Sequence, residues 1–286
     1  MSPVRRKSIL PVVALLALTL LSACFPGAQN RGGGQTTFNP PRQLDPAHVA
    51  VPDGYTVEVV ARGLDFPVGI AFDDEGALHV VEAGYSYGEV FAEPRLLRIN
   101  DDGTTVAVAT GDNPPWNGVD FANGSFFIAE GGQLEGGRIL RVDPDGTVTA
   151  LIEGLPSLGD HHTNGPAVGP DGMIYFGQGT ATNSAIVGPD NADFGWLSRF
   201  PAFHDIPCED VTLAGVNYVS PNPLTEQNDQ VRTGAYSPFG QPTTPGQVIP
   251  GQVPCSGSVM RVDPQGTEPE LVAWAFRNPF GLTFDE

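Results

Sequence analysis

The sequence has little positive charge, and lysine is almost absent from it. The chain of 286 residues contains one lysine, Lys7, and 14 lysines and arginines in all against 33 acidic residues, which gives a formal net charge of −19. Because so acidic a surface repels phosphate backbones, we expect no nucleic-acid partner. The acidity would accommodate a divalent cation such as calcium, but it predicts no particular site.

Long apolar runs are also missing, except for residues 8–21 near the N-terminus. This run follows a basic start and leads to Leu-Ser-Ala-Cys24, so we interpret residues 1–23 as a signal peptide. The ending resembles a bacterial lipobox, which implies lipid on Cys24; the alternative is an ordinary signal peptide with a chance cysteine. Residues 24–49, rich in Gly, Pro and polar residues, are expected to form a flexible tether. The protein is therefore predicted to be exported and lipid-anchored at the cell envelope, with no other membrane contact.

Cysteine is scarce, and only Cys208 and Cys255 follow Cys24. An exported chain meets oxidising conditions, so the natural interpretation is a disulfide between these two residues. Two unpaired buried thiols are the alternative.

What the sequence does have is glycine (36 residues) and proline (28 residues) between short apolar runs, a pattern typical of an all-β protein. One hairpin motif recurs from Gly69, Gly118 and Gly165 and begins again at Gly281. A second hairpin motif, such as "RLLRINDDGTTVAVAT" at 95–110, alternates with it. Two hairpins per unit at spacings near 48 residues indicate the four-stranded blades of a β-propeller over residues 50–286.

The third unit fits this spacing once residues 181–256 are treated as an insertion between its second and third strands. About three and a half blades are then present, and we expect the propeller to be C-terminally incomplete. The run 55–64 would supply an outer strand that closes the ring.

We call the glycine that starts each copy of the first hairpin motif the repeat glycine. Positions around the central channel can be compared by counting back four residues from each repeat glycine. This gives a ring of residues at the mouth of the channel: Asp65, Pro114, His161 and Arg277. His161 and Arg277 are therefore expected to face one pocket, with the insertion as a wall. His161 is a candidate general base, or alternatively a structural loop histidine, while His162 is expected to lie beside it or face solvent.

Three stretches together, 155–179, 257–266 and 276–282, resemble the soluble glucose/sorbosone dehydrogenases, particularly in "LGDHH" and "FRNPFGL". This resemblance implies a six-bladed propeller that uses pyrroloquinoline quinone and calcium to oxidise a sugar and passes electrons to an external acceptor. It implies that His161 is the catalytic base, that Asp160 sets its orientation and basicity, and that Arg277 and Asn278 bind the quinone.

The sequence departs from the family pattern at several points. Phe280 stands where a polar cofactor contact is common, and "PPWNGVDF" offers no equivalent of the family's glutamine. Calcium ligands are expected only after Glu286, outside this chain, so the metal site is unknown and this chain alone is expected to be inactive. Two other functions stay open: a lactonase-like, metal-dependent propeller hydrolase, for which Asp65 would qualify as a ligand, and a non-catalytic binding module.

Overall fold

The structure is a computed structural model that describes residues 45–84, 92–131, 136–192 and 195–285. Within these ranges it contains sixteen β-strands and only three very short helices: the 3-10 helices Pro46–His48 and Pro189–Ala192, and α1 at Trp196–Arg199. The predicted all-β fold class is confirmed. The predicted signal peptide, Cys24 and the tether up to residue 44 lie outside the described residues. None of the helices described is long and apolar enough to cross a membrane.

Twelve strands form three four-stranded antiparallel sheets, which match the blades that the repeats predict. The first blade contains β1 (Pro67–Phe72), β2 (Leu78–Glu82), β3 (Arg95–Ile99) and β4 (Thr105–Thr110). The second contains β5 (Trp116–Ala122), β6 (Ser125–Glu130), β7 (Gly137–Val142) and β8 (Val148–Leu155). The third contains β9 (Thr163–Val168), β10 (Ile174–Gln178), β15 (Ser258–Val262) and β16 (Glu270–Trp274).

The repeat glycines lie where the inner strands of neighbouring blades approach each other most closely. A Cβ atom on Gly69 would lie 3.1 Å from the Cα of Gly118, and one on Gly118 would lie 1.9 Å from the carbonyl oxygen of Gly165. Gly118 also has a φ of +133°, which L side chains rarely adopt. The inner strands can therefore stand this close only because they lack side chains at these positions.

Each inner strand also carries one extra residue beside its repeat glycine. Register shifts occur between Pro67 and Gly69 in β1 and between Trp116 and Val119 in β5. The equivalent shift in β9 lies opposite Tyr175 and Gly177 of β10. These irregularities are β-bulges, which bend a strand and change the direction of its side chains.

Apolar side chains pack between the blades. One buried cluster joins the first blade to the second around Leu96, Trp116 and Ile128. Another joins the second blade to the third around Ile139 and Phe176. Because burying one such side chain contributes about 1.5–3 kcal/mol, these clusters provide much of the free energy that holds the blades side by side.

Buried acid–base pairs hold the ends of the first two blades. The Glu82 carboxylate, 1% exposed, accepts a hydrogen bond of 2.7 Å from Arg95 Nε, and Glu130 pairs with Arg138 in the same way. In the third blade Gln178 occupies the matching position, and its amide oxygen accepts a hydrogen bond from Thr163 Oγ1 at 2.9 Å. The third blade, which follows His161 and His162, thus has a neutral amide where the first two blades have an ion pair.

The segment predicted as an insertion follows β10 and forms two small sheets, each of two strands. These strands are β11 (Val211–Thr212) with β14 (Val248–Ile249), and β12 (Asn217–Pro221) with β13 (Gln230–Gly234). A disulfide joins Cys208 to Cys255, 47 residues apart. By loop entropy such a bond contributes about 3–4 kcal/mol to folding stability.

Two predicted strands are absent from the structure. Residues 55–64, expected as an outer strand, and the stretch from Gly281 to residue 285 carry no strand hydrogen bonds. A strand needs a hydrogen-bonded neighbour, and neither segment pairs with a described strand. Phe284 nevertheless packs edge-on against Tyr175 of the third blade.

Candidate active site

The ends of the inner strands surround a cavity of about 370 Å³. We call it the central cavity. Its described lining includes the residues that stand three places before a repeat glycine: Phe66, Pro115, His162 and Asn278. It also includes the residues one place before that glycine: Val68, Asn117, Asn164 and Phe280. The two sets stand two residues apart, and the residues of the first set lie just before the inner strands or, for Asn278, outside any strand.

The ring of residues predicted from the sequence is therefore wrong by one position. Of the four residues that stand four places before a repeat glycine, His161 lines the central cavity; Asp65, Pro114 and Arg277 are not among its described lining residues. His161 reaches the cavity from the loop before β9, together with His162.

His161 is held by the main chain and the side-chain hydroxyl of Thr180. Its backbone N–H donates to the Thr180 carbonyl oxygen at 3.1 Å, and its Nδ1 lies 3.0 Å from the same oxygen and 3.1 Å from Thr180 Oγ1. A ring N–H on Nδ1 satisfies this contact and leaves the lone pair on Nε2 as the basic site. Burial lowers the pKa of His161, and the Arg277 charge lowers it further, against opposing effects of Thr180 and Asp205. The ring is therefore neutral at pH 7.

His162 does not face solvent, as one of the two expectations had it, because its side chain is 95% buried beside the same cavity. Burial lowers the pKa of His162 to about 4. The His162 carbonyl oxygen accepts a hydrogen bond from Asn164 Nδ2 at 2.8 Å, and the same nitrogen lies 2.8 Å from Asn278 Oδ1. Asn278 is thus connected to the strand that follows the histidines.

The carboxylate of Asp160 is directed away from the His161 ring nitrogen that contacts Thr180. It accepts hydrogen bonds from Asn183 Nδ2 at 2.7 Å and from Asn191 Nδ2 at 3.5 Å. Adjacent side chains diverge here, and the partner of His161 Nδ1 is a carbonyl oxygen rather than this carboxylate. Burial and the negative charges nearby raise the pKa of Asp160 to about 7, although Arg277 opposes this shift.

Arg277 lines a second cavity, also of about 370 Å³, instead of facing the central cavity with His161. Its Nη1 donates to Asn183 Oδ1 at 3.2 Å. Its carbonyl oxygen accepts the Thr180 N–H at 2.9 Å. Thr180 consequently connects Arg277 to His161 through its main chain: Thr180 lines the second cavity, and His161 lines the central one.

Sequence reasoning missed Asn117 and Asn164, which line the central cavity in the second and third blades. Asn117 Nδ2 donates to the Thr163 carbonyl oxygen at 3.1 Å, which ties the second blade to β9. The signal that would have found them is the repeated dipeptide Asn-Gly, in which the glycine is the repeat glycine itself.

Among the described residues, no group of three or more histidine, cysteine or acidic side chains is arranged to hold a metal ion. The acidic turns instead form hairpin connections, in which the carboxylate of Asp73 accepts backbone N–H groups from Glu75 and Ala77 at 3.0 and 2.8 Å.

No family model matches the chain, and no curated protein matches it at a significant level. Among solved structures, it is similar to the pyrroloquinoline quinone-bound aldose sugar dehydrogenase from Streptomyces coelicolor, with a TM-score of 0.36 and 15% identity over 78% of this chain and 87% of that one. An oxidoreductase described as a glucose dehydrogenase from Thermus thermophilus gives a TM-score of 0.36 and 14% identity over 79% and 90% of the two chains. A gluconolactonase-type protein gives 0.30 and 16% over 74% and 66%. Similarities this weak assign no activity.

Proposed function

We propose that the chain is an exported quinoprotein dehydrogenase that oxidises an aldose, with His161 as the general base. The observation that carries the proposal is the placement of His161 at the central cavity, with Nδ1 on a main-chain carbonyl oxygen and a pKa lowered by burial. The "GDHH" and "FRNP" motifs, which resemble those of glucose/sorbosone dehydrogenases, support it.

The chemistry assigned to His161 is the removal of a hydroxyl proton from the sugar. Its Nε2 takes the proton as the C–H bond of the same carbon breaks and the C–O bond becomes a carbonyl. Because the pKa lies below the ordinary value, the ring is ready to accept a proton throughout the neutral range. Asp160, whose pKa is near 7, would adjust the charge around this base as the pH changes.

The central cavity fits a planar, polar cofactor. Its apolar lining, including Phe66, Pro67 and Phe280, suits the flat faces of a fused ring, and three asparagine amides stand among these side chains. Asn278 and Asn164 would hold pyrroloquinoline quinone by its polar edge, and Arg277 would contribute positive charge from the adjoining cavity. When bound, the quinone supplies a two-electron acceptor for hydride. Calcium, an external electron acceptor and a lipid anchor on Cys24 are parts of the same proposal.

The test uses the full-length protein, including any residues that follow Glu286, reconstituted with pyrroloquinoline quinone and calcium, with sugar oxidation followed by reduction of a dye. We expect His161→Gln to lower kcat/KM by about 10²–10⁴-fold, the usual contribution of a positioned base. Quinone binding, measured by fluorescence, should persist. His48→Gln is the control, because His48 is exposed and distant from the cavity in sequence. Wild-type activity should rise with pH through a pKa below 6.5 and then level off, since the protonated ring cannot accept a proton.

An absence of quinone binding, together with an active His161→Gln variant, would refute the dehydrogenase. The lactonase-like hydrolase requires carboxylate ligands, and none of the described side chains that line the central cavity is a carboxylate. Hydrolysis of a sugar lactone that depends on an added divalent metal would nevertheless favour that alternative.

A further inference from the structure

The second cavity is built by the insertion on one side and by the end of the third blade on the other. We call it the insertion cavity. The insertion contributes six of its lining residues: Asn183, Ser184, Ala185, Asp205, Tyr236 and Ser256. Trp274, from the end of β16, lies opposite with residues 275–277. A volume of about 370 Å³ is within the usual range of small-molecule sites.

Backbone strain is concentrated around this cavity. Five non-glycine residues in the described chain have positive φ angles, and three of them line the insertion cavity: Ala185, Tyr236 and Ala275, with φ of 59°, 51° and 77°. Residues with side chains adopt such angles at a cost in free energy, and they persist when the surrounding structure holds them. Strained residues of this kind cluster at binding and active sites.

The floor of the cavity is rigid. Asp205, 1% exposed, accepts hydrogen bonds from the Ala181 N–H at 2.6 Å and from Thr182 Oγ1 at 2.6 Å. Ser256 is next to Cys255, whose disulfide to Cys208 ties the C-terminal end of the insertion to its interior. The cavity is therefore formed before any ligand arrives, which reduces the entropy lost on binding.

The lining combines aromatic faces with planar polar groups, a combination that recognises carbohydrate. The C–H groups of a sugar ring are slightly positive and pack against the negative face of an aromatic ring such as Trp274. The amide of Asn183 and the guanidinium of Arg277, beyond the hydrogen bond that they share, offer polar groups for sugar hydroxyls.

We propose that the insertion cavity binds a second glycosyl unit, so that the protein acts on an oligosaccharide. This inference rests on the proposed function, because the unit to be oxidised would lie at His161 and the next one would lie past Thr180. Thr180 lines the insertion cavity, and its carbonyl oxygen contacts His161 Nδ1. The insertion thereby sets the size of the preferred substrate.

The test begins with binding in the absence of cofactor. Of the three tryptophans, Trp116 and Trp196 are fully buried, so Trp274 alone can report directly on a ligand. Maltotriose and cellotriose are titrated separately while tryptophan emission is recorded. We expect at least one trisaccharide to change the emission of the wild type, and the change to vanish in Trp274→Phe. Glucose should bind at least about tenfold more weakly than that trisaccharide.

Calorimetry with Trp274→Ala and the same trisaccharide gives a second measurement. The affinity should fall by about tenfold or more, while Tyr218→Ala, which removes an exposed aromatic ring from the same insertion, should bind normally.

If no trisaccharide alters the emission, or if Trp274→Ala binds as the wild type does, the inference is wrong. Glucose oxidation that is not improved by a longer substrate would overturn the inference while leaving the proposed function intact. Trisaccharide binding without any oxidation would support the cavity and refute the dehydrogenase.

Discussion

At the scale of single residues, the site contains a buried histidine, His162, and a half-buried carboxyl group, Asp160, whose effects on stability oppose each other. His162 has a pKa of about 4 in the folded protein, against 6.5 for an exposed histidine. Between these values the unfolded chain binds more protons, so the stability due to His162 rises with pH. Asp160 has a pKa of about 7 against 3.8, so between these values the folded protein binds more protons and its stability falls as pH rises.

Asp160→Asn should remove one of these two opposing effects of pH on stability. The variant loses the contribution that falls with pH, so its free energy of unfolding should increase more steeply than that of the wild type from pH 4 to pH 7. The difference in slope should approach about 1.4 kcal/mol per pH unit in the middle of this range, the limit for one proton. Urea unfolding at several pH values measures it. Parallel curves for the two proteins would show that Asp160 is not protonated in the folded state near neutral pH.

Residue types and motifs in the sequence were enough to find His161, but not its supporting contacts. The orienting partners of His161 are the main-chain carbonyl oxygen and the hydroxyl of Thr180, 19 residues away, and every residue has such a carbonyl oxygen. Asp160, adjacent in sequence, was the natural expectation, yet its carboxylate is held by Asn183 and Asn191. Side chains can be chosen from a sequence by their chemistry, whereas main-chain partners depend on how the loops fold.

At the scale of elements, the repeat glycines determine how closely the blades approach. We expect Gly118→Ala to be strongly destabilising, because its Cβ would lie 1.9 Å from the Gly165 carbonyl oxygen and its φ is +133°. The cost should reach about 3 kcal/mol or more, from backbone strain and from separating the inner strands. Thermal unfolding measures this loss.

The fourth copy of the motif provides a matched control for that substitution. A Cβ on Gly281 would meet nothing within 4 Å, so Gly281→Ala should unfold as the wild type does. Equal effects of the two substitutions would show that the repeat glycines are not needed for close approach between the blades.

The same elements show what the sequence could predict and where it failed. The hairpin repeats predicted the strand order of the blades, because turn residues and short apolar runs are local signals. The ring of cavity residues was wrong by one position because it was counted from the glycine without the strand alternation and bulges of the inner strands. Such a bulge is a property of pairing between strands, and no single stretch of sequence reveals it.

At the scale of the whole molecule, the dominant property is negative charge. A net charge of −19 creates a negative potential around the surface, which attracts cations and repels anions before they reach the site. If the protein reduces an external acceptor, the charge of that acceptor should therefore influence the rate.

We expect a cationic acceptor such as phenazine methosulfate to be reduced more slowly as salt is added, and the anion ferricyanide to be reduced faster. Between ~10 mM and ~150 mM salt the ratio of the two second-order rate constants should change by about tenfold, because salt screens the potential over a shorter distance. Stopped-flow kinetics of the reduced enzyme would measure both constants. An unchanged ratio would mean that the acceptor reaches its site without influence from the overall charge.

The contact between His161 and the Thr180 carbonyl oxygen has a consequence for mutagenesis. Every amino acid placed at position 180 keeps that carbonyl oxygen, but the Thr180 hydroxyl also lies 3.1 Å from His161 Nδ1, so alanine keeps one contact to the base and loses the other. Thr180 also lines the insertion cavity. A library at this position can therefore alter what the protein binds while the main-chain contact to the base remains, and serine, which retains a hydroxyl, separates the two effects.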